Sequence, residues 1–525
     1  MNNLRLNRVT VVLRQITIFC DRWHWVLLAL AAPFLLFPSP SRSLALFVVP
    51  GLWIVAWLAG REPLPRTPLN ATLLLMFFMV LVSTWATYDV AISLPKISGM
   101  VLGMGVFFAV AREGERVRGW WLSLLAFLGI GLGIAVLGSL GTRWASSKIS
   151  FLEPILARLP MLIKGLQGAE SGFHPNEVAG ALGWVLPVMM AVSVALFFSP
   201  QPPKNGGTRT QRVTLRERFL RPKGLRLANA RFFAPWKSAR VLRMTCWQRK
   251  KQHRAVMLVV MTILCLVATF FVAAVFLLSQ SRGGYIGLAL TLSALILIAL
   301  PRRWRWYSLI ALVVLAIVLG FLVPSRWEAV RTWIAGSDLA ADPALSLNSL
   351  EGRLEVWSRA IYGIQDFPFT GMGMNTFRRV VPVLYPLFLI SPDTDIGHAH
   401  NEFLQAALDL GIPGLIAFIA LYIGAFWMLA DVWRATRHPP LNTERCEVPE
   451  GGSLVTRSLA LGLGGGLLAH LLYGLTDAVA LGAKPGVLFW MLLGLIAGLH
   501  RQAQDNWAVV DSSVPTTGAE NGSRE

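Results

Sequence analysis

The sequence predicts an all-α polytopic membrane protein with about 12 transmembrane helices. Three observations carry that expectation. The 525 residues are 55% hydrophobic and only 14% charged, with a mean hydropathy of +0.57, whereas soluble domains carry about 25% charged residues. Apolar runs close to the roughly 17–25 residues that a bilayer requires recur from end to end. Lysine and arginine gather in alternate loops, as they do on the cytoplasmic side of membrane proteins.

Taken in order, the first six spans are expected near 24–37, 43–59, 72–88, 96–112, 119–140 and 177–198. MNNLRLNRVT precedes them, basic and without a convincing small-x-small cleavage site after the first apolar run, so that run reads as a retained span rather than a signal. The loops REPLPR (61–66), REGERVR (112–118), PRRWR (301–305) and RATRH (434–438) then lie inside, with both termini. Between the sixth and seventh spans, Ser199–Arg254 holds 16 Lys+Arg against one acid, Glu217, which is +15 of the formal +20. Such polybasic segments bind anionic inner-leaflet lipids and anchor topology. This accounts for the basic pI without a nucleic-acid partner.

The later spans are expected near 255–278, 283–300, 306–323, 406–433, 456–477 and 486–500. The layout is therefore 1–323 as helices 1–9 with the basic loop 199–254, and 324–400 as a large outside loop with short helices. Helices 10–12 follow over 401–500, and 501–525 is a polar, disordered cytoplasmic tail. Of the four cysteines, Cys20, Cys246 and Cys446 face the cytoplasm and Cys265 lies in a span, so no disulfide framework is expected.

The polar chemistry lies outside. Asn348 with Glu351 three residues on resembles a capping box, and Leu354, Trp357, Ile361 and Ile364 recur at helical spacing, leaving Arg353, Glu355 and Arg359 off that face. VPVLYPLFLI (381–390) is too short to span and suits either the membrane interface or packing under the loop. Arg282 sits in the tight turn Ser279-Gln-Ser-Arg282-Gly-Gly, where glycines would let backbone approach a ligand. Asp477 closes the eleventh span, Lys484 precedes the twelfth, and His470 lies within the eleventh as a satisfied interhelical hydrogen-bonder.

The stretch HAHNEFLQAALDLGIPG (398–414) opens the tenth span. A helix beginning near His400 offers a positive dipole end, which favours a neutral imidazole able to take a proton. Asn401 can donate and accept beside it. Gly411 and Gly414 would permit close helix contact, and Pro413 would bend the helix. Asp393, Asp395, His398 and His400 could instead gather a metal. No second source of ligands stands out in the sequence, so no metal is expected.

His400-Asn401, nine residues, then Gly411-Ile-Pro-Gly414 resembles the His-[Asn/Ser/Gln]-x9-Gly-x-x-[Gly/Thr/Tyr] signature of the O-antigen ligase and polymerase superfamily. Gly352-Arg353…Trp357…Phe367-Pro368…Gly371-Met-Gly373…Phe377 resembles the run that precedes it. The resemblance covers about residues 350–420 in detail. It implies a membrane-embedded glycosyltransferase of the C-fold type, independent of metal, cofactor and ATP, in the bacterial inner membrane with its site facing the periplasm. The implied donor is a glycan on undecaprenyl pyrophosphate and the implied acceptor a sugar hydroxyl of lipid A-core, with inversion at the anomeric carbon. His400 is then the catalytic base, and Arg282 and Arg353 hold pyrophosphate. Asn401, Asp477 and Lys484 belong to the substrate-binding set, and Arg143 and His174 join it on their outside location alone. A polymerase or protein O-oligosaccharyltransferase shares the signature. A transporter or flippase is the remaining alternative, against which stands the clustering of polar residues on one side rather than at the midplane.

Overall fold

A computed structural model describes residues 24–58, 64–142, 153–156, 174–197, 235–322, 350–391, 394–437, 450–479 and 481–511, with a few isolated positions between them. Every regular element among them is helical. The principal helices are α1 (His24–Leu36), α2 (Val48–Leu58), α3 (Asn70–Ala86), α4 (Val90–Glu113), α5 (Val117–Gly141), α6 (Pro175–Phe197) and α7 (Pro235–Leu278). They continue as α8 (Arg282–Ala299), α9 (Arg302–Leu322), α10 (Leu350–Asp366), α11 (Phe377–Leu384), α12 (Glu402–Arg437), α13 (Glu450–Tyr473) and α14 (Val487–Asp511).

Nine helical segments among the described residues are long and apolar enough to cross a membrane, and α1 and α3 are shorter apolar helices. Each of the twelve expected spans coincides with a helix. The protein is thus an all-α, multi-pass membrane protein. The core runs where α13 packs along α6 and α8, α14 against α4 and α5, and α12 against α3. There Trp120, Trp184, Phe418 and Trp490 are essentially inaccessible. By contrast, the spanning part of α7 turns most of its surface outward, as a lipid-facing helix does. His470 is buried in this core: Tyr422 Oη lies 3.2 Å from its Nδ1, Glu402 Oε2 lies 3.4 Å from its Nε2, and Trp184 stacks on its ring at 3.9 Å. The interhelical hydrogen bond the sequence suggested is made at Nδ1, whereas Nε2 faces Glu402 without hydrogen-bond alignment.

The segment before α12 has a small core of its own. Val356, Ala360, Met372, Phe377, Val381, Ile390, Ile396 and Ala399 pack with Leu408 of α12. The buried face of α10 is therefore Gly352, Val356, Ala360 and Gly363, while Leu354 and Ile361, expected inside, are 51% and 45% exposed. Glu355, expected outside, is buried. Its carboxylate accepts the backbone N–H groups of Phe388, Leu389 and Ile390 at 2.5–3.2 Å, and Arg359 Nε donates to Pro386 O at 2.9 Å. These polar contacts accompany a facing of α10 different from the one its apolar spacing suggested, because the loop N–H groups find their acceptor in Glu355. Asn348 lies outside the described residues.

Helix α12 is interrupted at Gly411 (φ 69°, ψ 177°), two residues before the proline expected to bend it. The freed backbone groups pair with the preceding loop: Met372 N–H donates to Leu408 O, and Ile412 N–H donates to Pro368 O, both at 2.7 Å. A Cβ on Gly411 would stand 2.5 Å from Phe369 O, and one on Gly371 2.7 Å from Leu408 O. Close approach at Gly411 is thus backbone to loop, while Gly414 makes room for its own helix's Leu410. Two further expectations change. Residues 235–254 of the basic segment are helical and lead into the seventh span, and the start of the tail is helical as far as Asp511.

Candidate active site

The site forms where the start of α12 meets the turn after α13. Asn401 caps α12, its Oδ1 accepting the N–H groups of Phe403 and Leu404 at 3.0 Å each. Its Nδ2 donates to Leu475 O at 3.1 Å, and Glu402 N–H donates to Gly474 O at 2.7 Å. Asn401 is thereby committed to tying the helix start to the 474–475 turn. His400 stands just before the cap with φ 48°, a left-handed conformation that costs of order 1–3 kcal/mol and needs support from its surroundings. That support is visible: Trp357 Nε1 donates to His400 O at 3.3 Å, and Ala399 N–H donates to Gln405 Oε1 at 2.8 Å.

His400 Nδ1 lies 3.3 Å from Asp477 Oδ1, and His398 Nε2 lies 3.6 Å from the same oxygen. The two rings are 4.5 Å apart, edge to face. His398 Nδ1 accepts the His400 backbone N–H at 3.2 Å. Burial pushes the His398 pKa down to about 3, with the neighbouring His400 adding to it against the pull of Asp477. Burial alone would raise Asp477, but the close approach of His400, then the charges of His398 and Arg353, hold its carboxyl well below the usual carboxylate range.

Two guanidiniums complete the constellation. Arg282 begins α8, whose first turn is capped by Ser281 Oγ accepting Gly284 N–H at 3.4 Å. Arg353 is on α10, within electrostatic reach of both Arg282 and Asp477. Its Nε is buried and finds no acceptor among the described residues. Two like charges thus stand within electrostatic reach of each other, an arrangement suited to a multiply charged anion. The turn's glycines serve packing: a Cβ on Gly283 would meet Thr476 Oγ1 at 2.2 Å. His174, just before α6, accepts Asn176 N–H at 3.3 Å through its Nδ1 and feels His398 electrostatically. Lys484 lies apart from this anion site, with its Nζ 4.7 Å from the centre of the Phe37 ring. Arg143 and Asp393 lie outside the described residues.

The ligand atoms of His398, His400 and Asp477 all lie within 4.8 Å of one another, so the second source of ligands missing from the sequence pattern is Asp477. Asp395 is not part of that group: it takes Arg378 Nε at 2.9 Å.

Several polar residues around the site were not singled out from sequence. Asp409 accepts from Lys96 Nζ at 2.9 Å, Gln405 Nε2 at 2.8 Å and Asn375 N–H at 3.1 Å. Glu402 sits behind His400 on α12 and Glu177 on α6, both buried. Ionisable groups inside apolar spans were the signal that could have found Lys96, Asp409, Glu177 and Glu402.

Among curated proteins, none matches the chain. The family model described as O-antigen ligase matches residues 267–419, a stretch that runs from α7 through α8, α10 and α11 into α12. It contains Arg282, Arg353, His398, His400 and the Gly411 break, whereas Asp477 comes from beyond it. Over residues 267–419, less than half of its length, the chain is therefore similar to the O-antigen ligase family.

Proposed function

We propose that the protein is an O-antigen ligase with a C-fold glycosyltransferase architecture in the bacterial inner membrane, its site facing the periplasm and both termini in the cytoplasm. It transfers a glycan from undecaprenyl pyrophosphate to a sugar hydroxyl of lipid A-core, without metal, cofactor or ATP. The carrying observation is a histidine beside a carboxylate with two guanidiniums in electrostatic reach: His400 Nδ1 lies 3.3 Å from Asp477, Arg353 acts on Asp477, and Arg353 and Arg282 act on each other.

The division of labour between the histidines follows from their nitrogens. A neutral imidazole has one N–H and one lone pair. The His398 lone pair, on Nδ1, is occupied by the His400 backbone N–H, so His398 orients and does not take a proton. We assign the proton of the neutral His400 ring to Nδ1, which lies 3.3 Å from Asp477 Oδ1 without hydrogen-bond alignment in this structure, so that the Nε2 lone pair remains for the acceptor. In the transfer, Nε2 removes the proton from the acceptor hydroxyl and the oxygen forms a bond to the anomeric carbon. The bond from that carbon to the pyrophosphate oxygen breaks, and its electron pair leaves with undecaprenyl pyrophosphate. Asp477 stabilises the imidazolium formed. Arg282 and Arg353, with Arg143 as a further candidate, offset charge on the leaving group through planar forks, and His174 is a further candidate donor to it. Attack opposite the leaving group inverts the anomeric centre.

The test is reconstitution of the purified chain with lipid-linked glycan and lipid A-core. Glycosylated lipid A-core should form, survive a strong chelator, and fall roughly 10²–10⁴-fold in rate for His400→Ala. Longer glycan on the lipid carrier with no product on lipid A-core would identify a polymerase instead. Loss of activity in chelator, restored by one divalent ion, would assign His398, His400 and Asp477 to a metal.

A further inference from the structure

A cavity of about 380 Å³ opens beside His398, on the side of α1 and the Lys484 turn. Its walls are apolar where Leu35, Phe37, Val479 and Leu481 line it. Within that lining stand the polar groups of His398 and of the buried Glu177 and Glu402. Two cations stand at its edge around one residue, Phe37: Arg42 Nη1 donates to the Phe37 carbonyl at 3.2 Å, and Lys484 Nζ lies 4.7 Å from the Phe37 ring centre. Among the described residues neither cation pairs with a carboxylate, whereas Lys96, which also lines the cavity, is engaged by Asp409 at 2.9 Å.

We propose that this cavity is the acceptor pocket, built for a glycan that carries an anionic substituent, phosphate or carboxylate. The inference rests on the ligase reading. The donor's pyrophosphate is assigned to Arg282 and Arg353, neither of which lines the cavity. The acceptor must reach His400 by another route, and the cavity is lined by His398, whose ring centre lies 4.5 Å from that of His400. Buried carboxylates accept hydrogen bonds from sugar hydroxyls and are repelled by phosphate. Glu177 and Glu402 therefore suit the interior, where the reacting sugar sits, and Arg42 and Lys484 suit its anionic substituent nearer the opening.

The experiment measures steady-state transfer by the full-length chain in lipid nanodiscs, varying donor and acceptor separately. The variants are Arg42→Gln, Lys484→Gln and the pair. The acceptor is lipid A-core bearing its phosphates, or the same glycolipid dephosphorylated. Each substitution should raise the acceptor KM about three- to tenfold, Arg42 less because it is exposed. Donor KM should stay within about twofold, and the difference from wild type should shrink on the dephosphorylated acceptor. Unchanged acceptor KM, or a rise confined to the donor, overturns the assignment. If wild type transfers nothing, the ligase reading fails. The pocket is then judged by direct binding of the phosphorylated glycolipid: weaker binding by the variants supports it, equal binding overturns it. If the double variant does not insert, Arg42→Gln alone decides.

Discussion

At the residue scale the informative contrast is between two histidines two positions apart. Both approach Asp477 Oδ1, at 3.3 and 3.6 Å. Only His398 spends its lone pair on backbone. Asp477→Asn should therefore hurt as a positioning change. An amide can still meet the imidazole, but it cannot stabilise the imidazolium, and it can turn its NH₂ toward Nδ1 and impose the wrong tautomer. Transfer should fall by roughly 10² or more, within the range of general-base contributions, while donor KM barely moves. Asp477→Glu should recover part of the loss. Equal damage to donor KM and to rate would show that Asp477 binds substrate instead. Asp477 was legible as an ionisable residue at the end of a span, but its partner was not. Residues 400 and 477 are joined only by the packing of α12's first turn against the end of α13, through Glu402 N–H to Gly474 O and Asn401 to Leu475 O. No local pattern encodes that register.

At the scale of elements, the break in α12 explains more of the signature than any side chain does. The sequence suggested that Pro413 would bend the helix. The backbone departs instead at Gly411, where a positive φ is open to glycine at little cost. The loop carbonyl of Phe369 then occupies the space where a side chain would stand. Gly411→Ala combines a strained φ with a 2.5 Å clash against backbone, which cannot move aside as a flexible side chain can. It should destabilise by about 3 kcal/mol or more. Thermal unfolding in detergent with fluorescence-detected size exclusion checks this. A variant with wild-type midpoint and activity would mean the break is dispensable. Helical periodicity located α10, but its facing was set by the partners of Glu355 and Arg359, loop N–H groups and a carbonyl that lie some 30 residues downstream. Apolar spacing carries no information about those.

At the scale of the whole molecule, hydropathy was enough to find a helix at each expected span, nine of the described segments being long and apolar enough to cross, because a bilayer imposes one length and one polarity on each. What joins the spans to the site was less visible. Lys96 on α4 and Asp409 on α12 form a buried pair at 2.9 Å. The same carboxylate holds Gln405 and the Asn375 backbone, and Ser83 on α3 donates to the Asp409 carbonyl at 2.6 Å. The network fastens the loop to three helices. Lys96→Met leaves a buried carboxylate without its cation and should cost about 3–5 kcal/mol. Lys96→Met with Asp409→Asn should cost clearly less than the two single changes summed. A double-mutant cycle on unfolding midpoints measures the coupling, and simple additivity would mean the pair is incidental.

The crossing of the loop backbone over Gly411 also has a bearing on protein engineering. The stretch around Pro368–Met372 and the stretch around Leu408–Ile412 exchange main-chain hydrogen bonds and fill each other's missing side-chain space. They are two halves of one joint. A chimaera meant to alter specificity by transplanting the 350–391 segment has to carry 402–414 with it as a single cassette. The seams belong in the flanking helices, where side chains rather than backbone make the fit.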